Sequence, residues 1–302
     1  MPRTVCTMFC YDDSMYIALN LVQDFFYFGK DLYMCVDASI NTNIEPSLQE
    51  DSCIFEGMTS ISAVIESILS GESDRRILEV WFDRSRLYKK QRELGFLKAK
   101  SKELNFPIHE VDSAALDKLT AGTTHGGFAM RTTTRTYPPA EGTVLHEKGF
   151  FVMLDGVEDP YNFGYSVRSL YAAGVDGILL PERNWMTAAG TVARSSAGTS
   201  EKIDIRIVHS VEETIATFKS AGYRVLAAEI KNSESLYHTN LRLPLLFIVG
   251  GEKRGISGST LSLCDRNVRI DYGRTFRGSL SAAATAAVIG FEVMRYNDTL
   301  QS

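Results

Sequence analysis

The stretch DPYNFGYSVRSLYAAGVDGILLP, residues 159–181, changes twice from one kind of structure to another and decides the fold class. Pro160, Asn162 and Gly164 predict a loop, because all three residue types interrupt regular structure. Apolar residues then recur at helical spacing up to Gly174, and the apolar run 177–180 predicts a strand. A glycine-bearing loop between a strand and a helix is where α/β proteins bind phosphates and nucleotides. The stretch therefore predicts an α/β fold with a ligand site at a strand end.

The rest of the chain repeats this alternation of helices and short strands. With 302 residues the chain exceeds the usual size of one domain, so two domains are expected. Residues 51–137 predict a compact α/β domain. Residues 145–302 predict a second one, whose nearly continuous apolar strands indicate a mostly parallel sheet. The segment TTTRTYPPAEGT, residues 132–143, has the composition of a linker. Residues 1–50 are an N-terminal extension without an assigned role, and they contain a helical pattern near 14–28.

Charge is distributed unevenly along the chain. The net charge is −5, yet residues 84–102 carry eight basic side chains and one acidic side chain. The helix predicted over 87–104 is therefore either an electrostatic footprint for nucleic acid or an ordinary solvated helix face. The five cysteines are odd in number and lack zinc-ribbon spacing, no run of 18 apolar residues occurs, and the N-terminus lacks a secretory pattern. These features predict a cytoplasmic protein with no metal and no membrane partner.

Two further glycine-bearing strand ends, residues 249–257 and 270–281, compete with the first stretch as ligand sites. None of the three has the G-x-G-x-x-G spacing of a dinucleotide site, which argues against a Rossmann cofactor. Gly250 and Gly255 have the outer spacing of a P-loop, but Ile256 stands where the phosphate-binding lysine belongs. The chain also lacks G-x-S-x-G and H-E-x-x-H, so acyl transfer and metal-dependent hydrolysis are not expected.

Taken in order, the three loops resemble the signature motifs of the SpoU (TrmH-like) RNA ribose methyltransferases of the SPOUT superfamily. The matching residues of the first motif are Asn162, Gly164, Arg168 and Ala172–Gly174; of the second, Gly250, Glu252 and Gly255; of the third, Ile270, Gly273, Ser279 and Leu280. Residues 53–135, including the THGG turn at 124–127, resemble the ribosomal-protein-like domain that often precedes the methyltransferase domain.

The resemblance implies a fold, a cofactor and partners. It implies a C-terminal α/β domain with a trefoil knot, a homodimer, and transfer of a methyl group from S-adenosylmethionine to a ribose 2′-hydroxyl of structured RNA, ribosomal or transfer. It also implies that the cofactor is held by loops of the second and third motifs. The implied cofactor residues are Gly250, Gly251, Gly255, Ile270, Ser279 and Leu280.

The resemblance also implies roles for four residues in catalysis. A ribose hydroxyl is a poor nucleophile, so the site must align it and favour its alkoxide. Arg168 would stabilise that alkoxide and grip a neighbouring phosphate, since a guanidinium does not lose its proton in proteins. Asn162 would orient the ribose, and Glu252 would hold Arg168. Ser281 stands where the family has asparagine, and Arg131 is expected to help the first domain bind phosphates.

Two alternatives remain open beside an active ribose methyltransferase. The first is a noncatalytic RNA-binding or assembly protein that retains the knotted fold, motivated by Ser281 and the acidic net charge. The second is a methyltransferase that modifies a base on the same fold. The arginine of the first motif matches the ribose class and therefore disfavours the base.

Overall fold

A computed structural model of the chain describes residues 26–28, 31–33, 52–120, 124–181 and 188–299. The chain divides into two compact units, residues 1–49 and residues 50–302. The described residues of the first unit form a two-stranded antiparallel hairpin, and its strands are β1 (Phe26–Phe28) and β2 (Asp31–Tyr33).

The prediction of a helix near 14–28 is wrong at the C-terminal end of that range, where β1 lies. The remainder of that segment lies outside the described residues. The aromatic residues of these two strands explain the difference, because bulky aromatic residues favour strands.

The N-terminal part of the second unit is a four-stranded sheet covered by helices. The order of its strands is β3-β6-β4-β5, with β6 antiparallel to both neighbours and β4 parallel to β5. Its elements are β3 (Ser52–Glu56), α1 (Gly57–Leu69), β4 (Ile77–Asp83), α2 (Gln91–Leu104), β5 (Ile108–Val111), α3 (Ser113–Leu119) and β6 (Phe128–Thr133). We call residues 52–133 the N-terminal lobe.

A buried aspartate ends β4 and fixes the turn that leads to the basic helix. The Asp83 side chain is fully buried and accepts hydrogen bonds from the hydroxyls of Ser85 and Ser113, both at 2.7 Å, and from Arg86 Nε at 3.2 Å. Burial acts to raise the pKa of Asp83, but these hydrogen bonds together lower it below its usual value. A 3₁₀ helix, Arg84–Lys89, follows and precedes α2, so the basic segment predicted as one helix is divided in two.

The C-terminal part of the second unit is a seven-stranded, wholly parallel sheet of order β11-β13-β10-β12-β7-β8-β9. Its elements are β7 (Phe150–Asp155), α4 (Pro160–Ala172), β8 (Gly177–Pro181), α5 (Ala189–Ser195), β9 (Asp204–Val208), α6 (Val211–Ser220), β10 (Arg224–Ala228), β11 (Glu234–Ser235), β12 (Leu245–Gly250), α7 (Gly258–Leu263), β13 (Arg266–Arg269) and α8 (Ala282–Asp298). We call residues 149–299 the C-terminal lobe. The predicted α/β class and parallel sheet are confirmed.

Both faces of the parallel sheet are buried, which explains why its strands lack a polar alternation. In β7, Val152 and Leu154 belong to one core cluster, whereas Phe151 and Met153 belong to another. Helices α4 and α8 contribute to the first cluster and α6 to the second. The sheet is therefore a middle layer between helices, and its carboxyl edge is free to form a site.

The opening stretch folds differently from its sequence prediction in one respect. Helix α4 begins at Pro160, so Asn162 and Gly164 lie in its first two turns rather than in a loop. Asp159 caps the helix by accepting a hydrogen bond from the Asn162 N–H at 2.8 Å, and proline is favourable at the first helical position. Gly164 is required by packing, because a Cβ there would lie 1.9 Å from Ser195 Oγ.

The two lobes are joined by close contacts through α5 and the turn after it, residues 189–203. A Cβ on Gly190 would lie 1.9 Å from the Ile54 carbonyl oxygen, so α5 lies directly on β3. Arg75 and Glu201 form a buried bidentate ion pair with N–O distances of 3.1 and 3.3 Å. Arg135 within the predicted linker is buried and donates to the Ser200 carbonyl at 3.3 Å. Residues 132–143 therefore pack against the lobes instead of forming a free linker.

Candidate functional site

A cavity of about 210 Å³ opens at the carboxyl edge of the parallel sheet. Its walls come from the ends of three adjacent strands, β10, β12 and β13, and from the start of α8. The lining residues that the sequence predicted are Gly250, Gly251, Glu252, Gly255, Ile270, Ser279 and Leu280. All six predicted cofactor residues thus meet at one cavity, although they are separated by up to thirty positions in the chain.

The glycines of the second loop allow backbone segments to approach within contact distance. A Cβ on Gly251 would lie 1.8 Å from the Gly156 carbonyl oxygen, and one on Gly250 would lie 2.7 Å from the carbonyl carbon of Gly255. The Gly251 N–H donates to the Asp155 carbonyl at 2.8 Å, and the Gly255 N–H donates to the Gly251 carbonyl at 3.0 Å. Because no side chain fits at these positions, the wall of the cavity is bare backbone.

Glu252 and Ser281 both stabilise the first turn of α8. Glu252 Oε1 accepts a hydrogen bond from the Ala282 N–H at 3.1 Å, and Ser281 Oγ accepts one from the Ala284 N–H at 3.2 Å. Ser281 is therefore the N-cap of α8, a position for which serine is favourable. Within the described residues Glu252 makes no hydrogen bond or ion pair with Arg168 in the same chain, so the expected Glu252–Arg168 contact is not found.

Arg168 and Asn162 do not line the cavity of their own chain. Arg168 is exposed on α4, and among the described residues it has no hydrogen-bond or ion-pair partner. Six residues of helix separate the two side chains by about 9 Å along the axis and about 120° around it. The loop that contains Gly251 is nevertheless adjacent to the start of α4, because Gly251 contacts Gly156 in the loop that leads into α4.

The sequence analysis missed other lining residues of the cavity, and three of them are Glu229, Ile230 and Tyr272. Glu229 Oε1 accepts hydrogen bonds from the N–H groups of Ile230 and Lys231, at 2.8 and 3.0 Å. The signal for Glu229 was present, since an acidic residue directly after a parallel strand often binds ribose hydroxyls. It was overlooked because the β10 end contains no glycine.

The basic segment of the N-terminal lobe is partly neutralised. Four basic side chains pair with acidic ones at 4.0, 3.2, 2.7 and 2.7 Å, namely Arg84, Arg86, Lys90 and Lys100. Four others are exposed and have no ion-pair partner among the described residues: Lys89, Arg92, Lys98 and Lys102. Arg131 is bound to Glu79 on the neighbouring strand and lies over the Trp81 ring at 5.9 Å, so its expected role toward phosphates has no support.

Within the described part of the chain, no helix is both long and apolar enough to cross a bilayer. The same residues contain no group of three or more histidine, cysteine, aspartate or glutamate side chains placed to hold a metal ion.

The fold and the cavity define the class: an α/β protein that binds a ligand at the carboxyl edge of a parallel sheet, in loops that three adjacent strands supply. Two family models match the chain. The SpoU rRNA Methylase family matches residues 149–291, and the RNA 2′-O ribose methyltransferase substrate binding family matches residues 56–138.

Individual relatives agree with these matches. A Staphylococcus haemolyticus protein assigned to the TrmH family of tRNA/rRNA methyltransferases is 30% identical over 239 residues, which are 77% of this chain and 92% of the relative. This chain belongs to the SpoU (TrmH) family of RNA methyltransferases.

Solved structures share the fold. The AdoMet-bound rRNA methyltransferase of Sinorhizobium meliloti superposes with a TM-score of 0.68 at 21% identity, covering 81% of this chain and 87% of that one. The SpoU methyltransferase AviRb of Streptomyces viridochromogenes, in complex with AdoMet, gives 0.66 at 20% identity, covering 82% and 91%.

Proposed function

We propose that this protein transfers a methyl group from S-adenosylmethionine to a ribose 2′-hydroxyl of ribosomal or transfer RNA in the cytoplasm. The observation that carries the proposal is the convergence of the second and third motif loops on one cavity in a chain of the SpoU family. The RNA class follows from relatives that are assigned to tRNA/rRNA methylation. The trefoil knot and the domain boundaries at 51–137 and 145–302 are part of the same proposal.

The cavity suits S-adenosylmethionine by the chemistry of its lining. Gly250 and Gly251 offer bare backbone to hydrogen-bond a polar ligand, and Ile270 and Leu280 offer apolar surface to a purine ring. Glu229 lies where a carboxylate can accept hydrogen bonds from ribose hydroxyls. When bound, the cofactor supplies a methyl group on a positively charged sulfur, which is already activated for transfer. The chain's own residues must position the acceptor and stabilise its charge.

Arg168 is the residue that stabilises charge on the RNA. A 2′-hydroxyl develops negative charge on oxygen as it attacks, and a guanidinium offers a permanent positive charge with several N–H donors. The exposure of Arg168 fits this role, because no carboxylate among the described residues neutralises it. Asn162 would orient the ribose, and Glu252 and Ser281 would hold α8 against the cavity.

A homodimer explains why Arg168 lies outside the cavity of its own chain. In this arrangement Arg168 of one subunit approaches the cofactor cavity of the other. Helices α4 and α8 pack together and expose large side chains suited to a subunit interface, including Tyr161, Tyr165, Phe291 and Met294. The RNA would extend onto the N-terminal lobe, where the four unpaired basic residues of the segment 84–102 can bind phosphates.

The proposal is tested by a transfer assay with purified components. The protein is incubated with methyl-labelled S-adenosylmethionine and, separately, with ribosomal RNA and transfer RNA. Methyl transfer is expected to one of the two RNA classes. It should be lost in Leu280→Trp, because the larger side chain at position 280 occupies the cofactor cavity. Absence of transfer to either RNA, with cofactor binding intact, would instead support the alternative of a noncatalytic RNA-binding protein.

Mixing two inactive variants tests the shared site. Leu280→Trp removes the cofactor half, and Arg168→Ala removes the substrate half. Random pairing makes half of the dimers mixed, and each mixed dimer has one intact site of two, so about a quarter of wild-type activity should return. A site contained within one chain would give no recovery.

A further inference from the structure

The loop between β13 and α8, residues 272–281, combines aromatic and basic side chains at the rim of the cofactor cavity. Its sequence, YGRTFRGSLS, contains two arginines and no acidic residue in a protein of net charge −5. Tyr272 lines the cavity and Phe276 does not, although their rings are in edge-to-face contact with centroids 5.7 Å apart. The loop therefore extends from the cavity wall to the outer surface by way of two aromatic rings.

Both ends of this loop are held in place. Asp271 accepts hydrogen bonds from Arg269 Nε at 2.9 Å and from the Ser235 hydroxyl, which attach the beginning of the loop to the sheet. The Leu280 N–H donates to the Tyr272 hydroxyl at 3.3 Å, which closes the loop at its base. The conformation is thus determined by contacts within the loop and with the sheet.

Phe276 is packed on one side and open on the other. A Cβ on Gly278 would lie 2.6 Å from the Phe276 ring, so glycine is needed there to accommodate it. The ring contacts Tyr272 and Gly278, yet 57% of the residue remains exposed. Arg274 and Arg277 are exposed, and neither has a hydrogen-bond or ion-pair partner among the described residues.

We propose that Phe276 is a stacking platform for an unpaired RNA base next to the nucleotide that is methylated, and that Arg274 and Arg277 bind its flanking phosphates. This inference rests on the proposed function and specifies its substrate as a single-stranded segment. Proteins read unpaired bases by stacking them on aromatic rings and track the backbone with basic side chains. Phe276 stands between Arg274 and Arg277 in the sequence, so the loop offers both kinds of contact. The Phe276 ring is close to the cavity, because its centroid lies 5.7 Å from that of Tyr272, which lines the cavity.

Fluorescence of 2-aminopurine tests the stacking directly and does not require catalysis. One RNA hairpin carries this base in its unpaired loop, and a second carries it in the paired stem. The wild-type protein is expected to bind the loop-labelled hairpin and to quench its fluorescence, with little change for the stem label. Phe276→Leu, which keeps apolar contact with Tyr272 but has no π face, should weaken binding about 5- to 100-fold, whereas Phe276→Tyr should retain it.

Two controls separate RNA stacking from other roles of the loop. Tyr237→Leu changes a similarly exposed aromatic residue outside the loop and should leave hairpin affinity unchanged. Replacing Arg274 and Arg277 by glutamine should reduce the slope of log affinity against log salt by about 1.4 for a single strand. S-adenosylmethionine affinity and oligomeric state should match wild type in Phe276→Leu.

The outcomes distinguish this inference from the proposed function. Unchanged hairpin affinity in Phe276→Leu, in a protein that methylates RNA, would overturn the stacking role and leave the methyltransferase standing. A changed dimer or a lost cofactor affinity in that variant would show that the ring serves a subunit interface or the cofactor. Quenching by wild-type protein without any methyl transfer would support the RNA contact and contradict the proposed methyltransferase activity.

Discussion

Substitution of Gly251 by alanine tests the glycine wall of the cavity. The added Cβ would lie 1.8 Å from the Gly156 carbonyl oxygen and 2.9 Å from the Val157 nitrogen, and both contacts are with backbone that cannot rotate away. Since Cβ atoms are not found within about 3 Å of such neighbours, the two loops must separate by more than 1 Å. That movement disrupts the 2.8 Å hydrogen bond from Gly251 to Asp155.

The expected cost has two parts. Overpacking costs about 1–3 kcal/mol, and a lost buried backbone hydrogen bond costs about 1–3 kcal/mol more. Gly251→Ala should therefore lower the free energy of unfolding by about 2–6 kcal/mol in urea titrations. Its affinity for S-adenosylmethionine by calorimetry should fall at least tenfold, because the displaced backbone is the wall itself.

A matched glycine provides the control. Gly258 begins α7, lies outside the cavity, and has no atom within 4 Å of an added Cβ. Gly258→Ala should retain cofactor affinity and be as stable as wild type or slightly more stable, since alanine favours helix. The steric reasoning is refuted if Gly251→Ala matches Gly258→Ala in both measurements.

Three further predictions concern other parts of the account. Arg168→Ala should reduce the rate of methyl transfer at saturating substrate by 100-fold or more, with cofactor affinity within about twofold of wild type, since it acts on charge that develops only during transfer; an unchanged rate would remove its role. Arg75→Ala should cost about 3–5 kcal/mol in urea unfolding, because Glu201 is left buried without its partner, whereas replacing both by apolar residues should restore most of that loss. Asp83→Asn should be about 1–2 kcal/mol less stable than wild type near neutral pH. Folding lowers the pKa of Asp83, so the difference in stability between wild type and Asp83→Asn should be constant above pH 5 and should vanish as the pH falls through the lowered pKa. A stability difference that does not change with pH would contradict this role of the ionised Asp83.

Much of the fold was predictable because its strands and loops carry local signals. The buried strands of the parallel sheet are short apolar runs, and their order along the chain with intervening helices predicts the α/β class. The error at Pro160 has a local cause as well: proline and asparagine occur in loops, but Asp159 followed by proline is also a helix start. Residues 132–143 were misjudged because the buried Arg135 pairs with the Ser200 carbonyl, which lies 65 residues later.

The site was predictable to the extent that its residues are glycines or motif members. Close approach of backbones requires glycine at 250 and 251, and Gly255 has a positive φ of 61°, so all three could be recognised from the chain alone. The prediction that Glu252 contacts Arg168 is wrong within one chain, because the Glu252 carboxylate accepts a hydrogen bond from the first N–H of α8. Such a partner depends on the packing of α8 beside β12, and spacing in the sequence does not reveal it.

The measurement that tests the central claim most directly is alkaline hydrolysis of RNA labelled by the purified protein. A 2′-O-methyl group removes the hydroxyl that attacks the adjacent phosphate, so the bond after the modified ribose resists alkali. The account predicts that the transferred label remains in an alkali-resistant dinucleotide. Label recovered entirely in the mononucleotides that alkali releases would place the methyl group on a base, and would contradict ribose methylation by this protein.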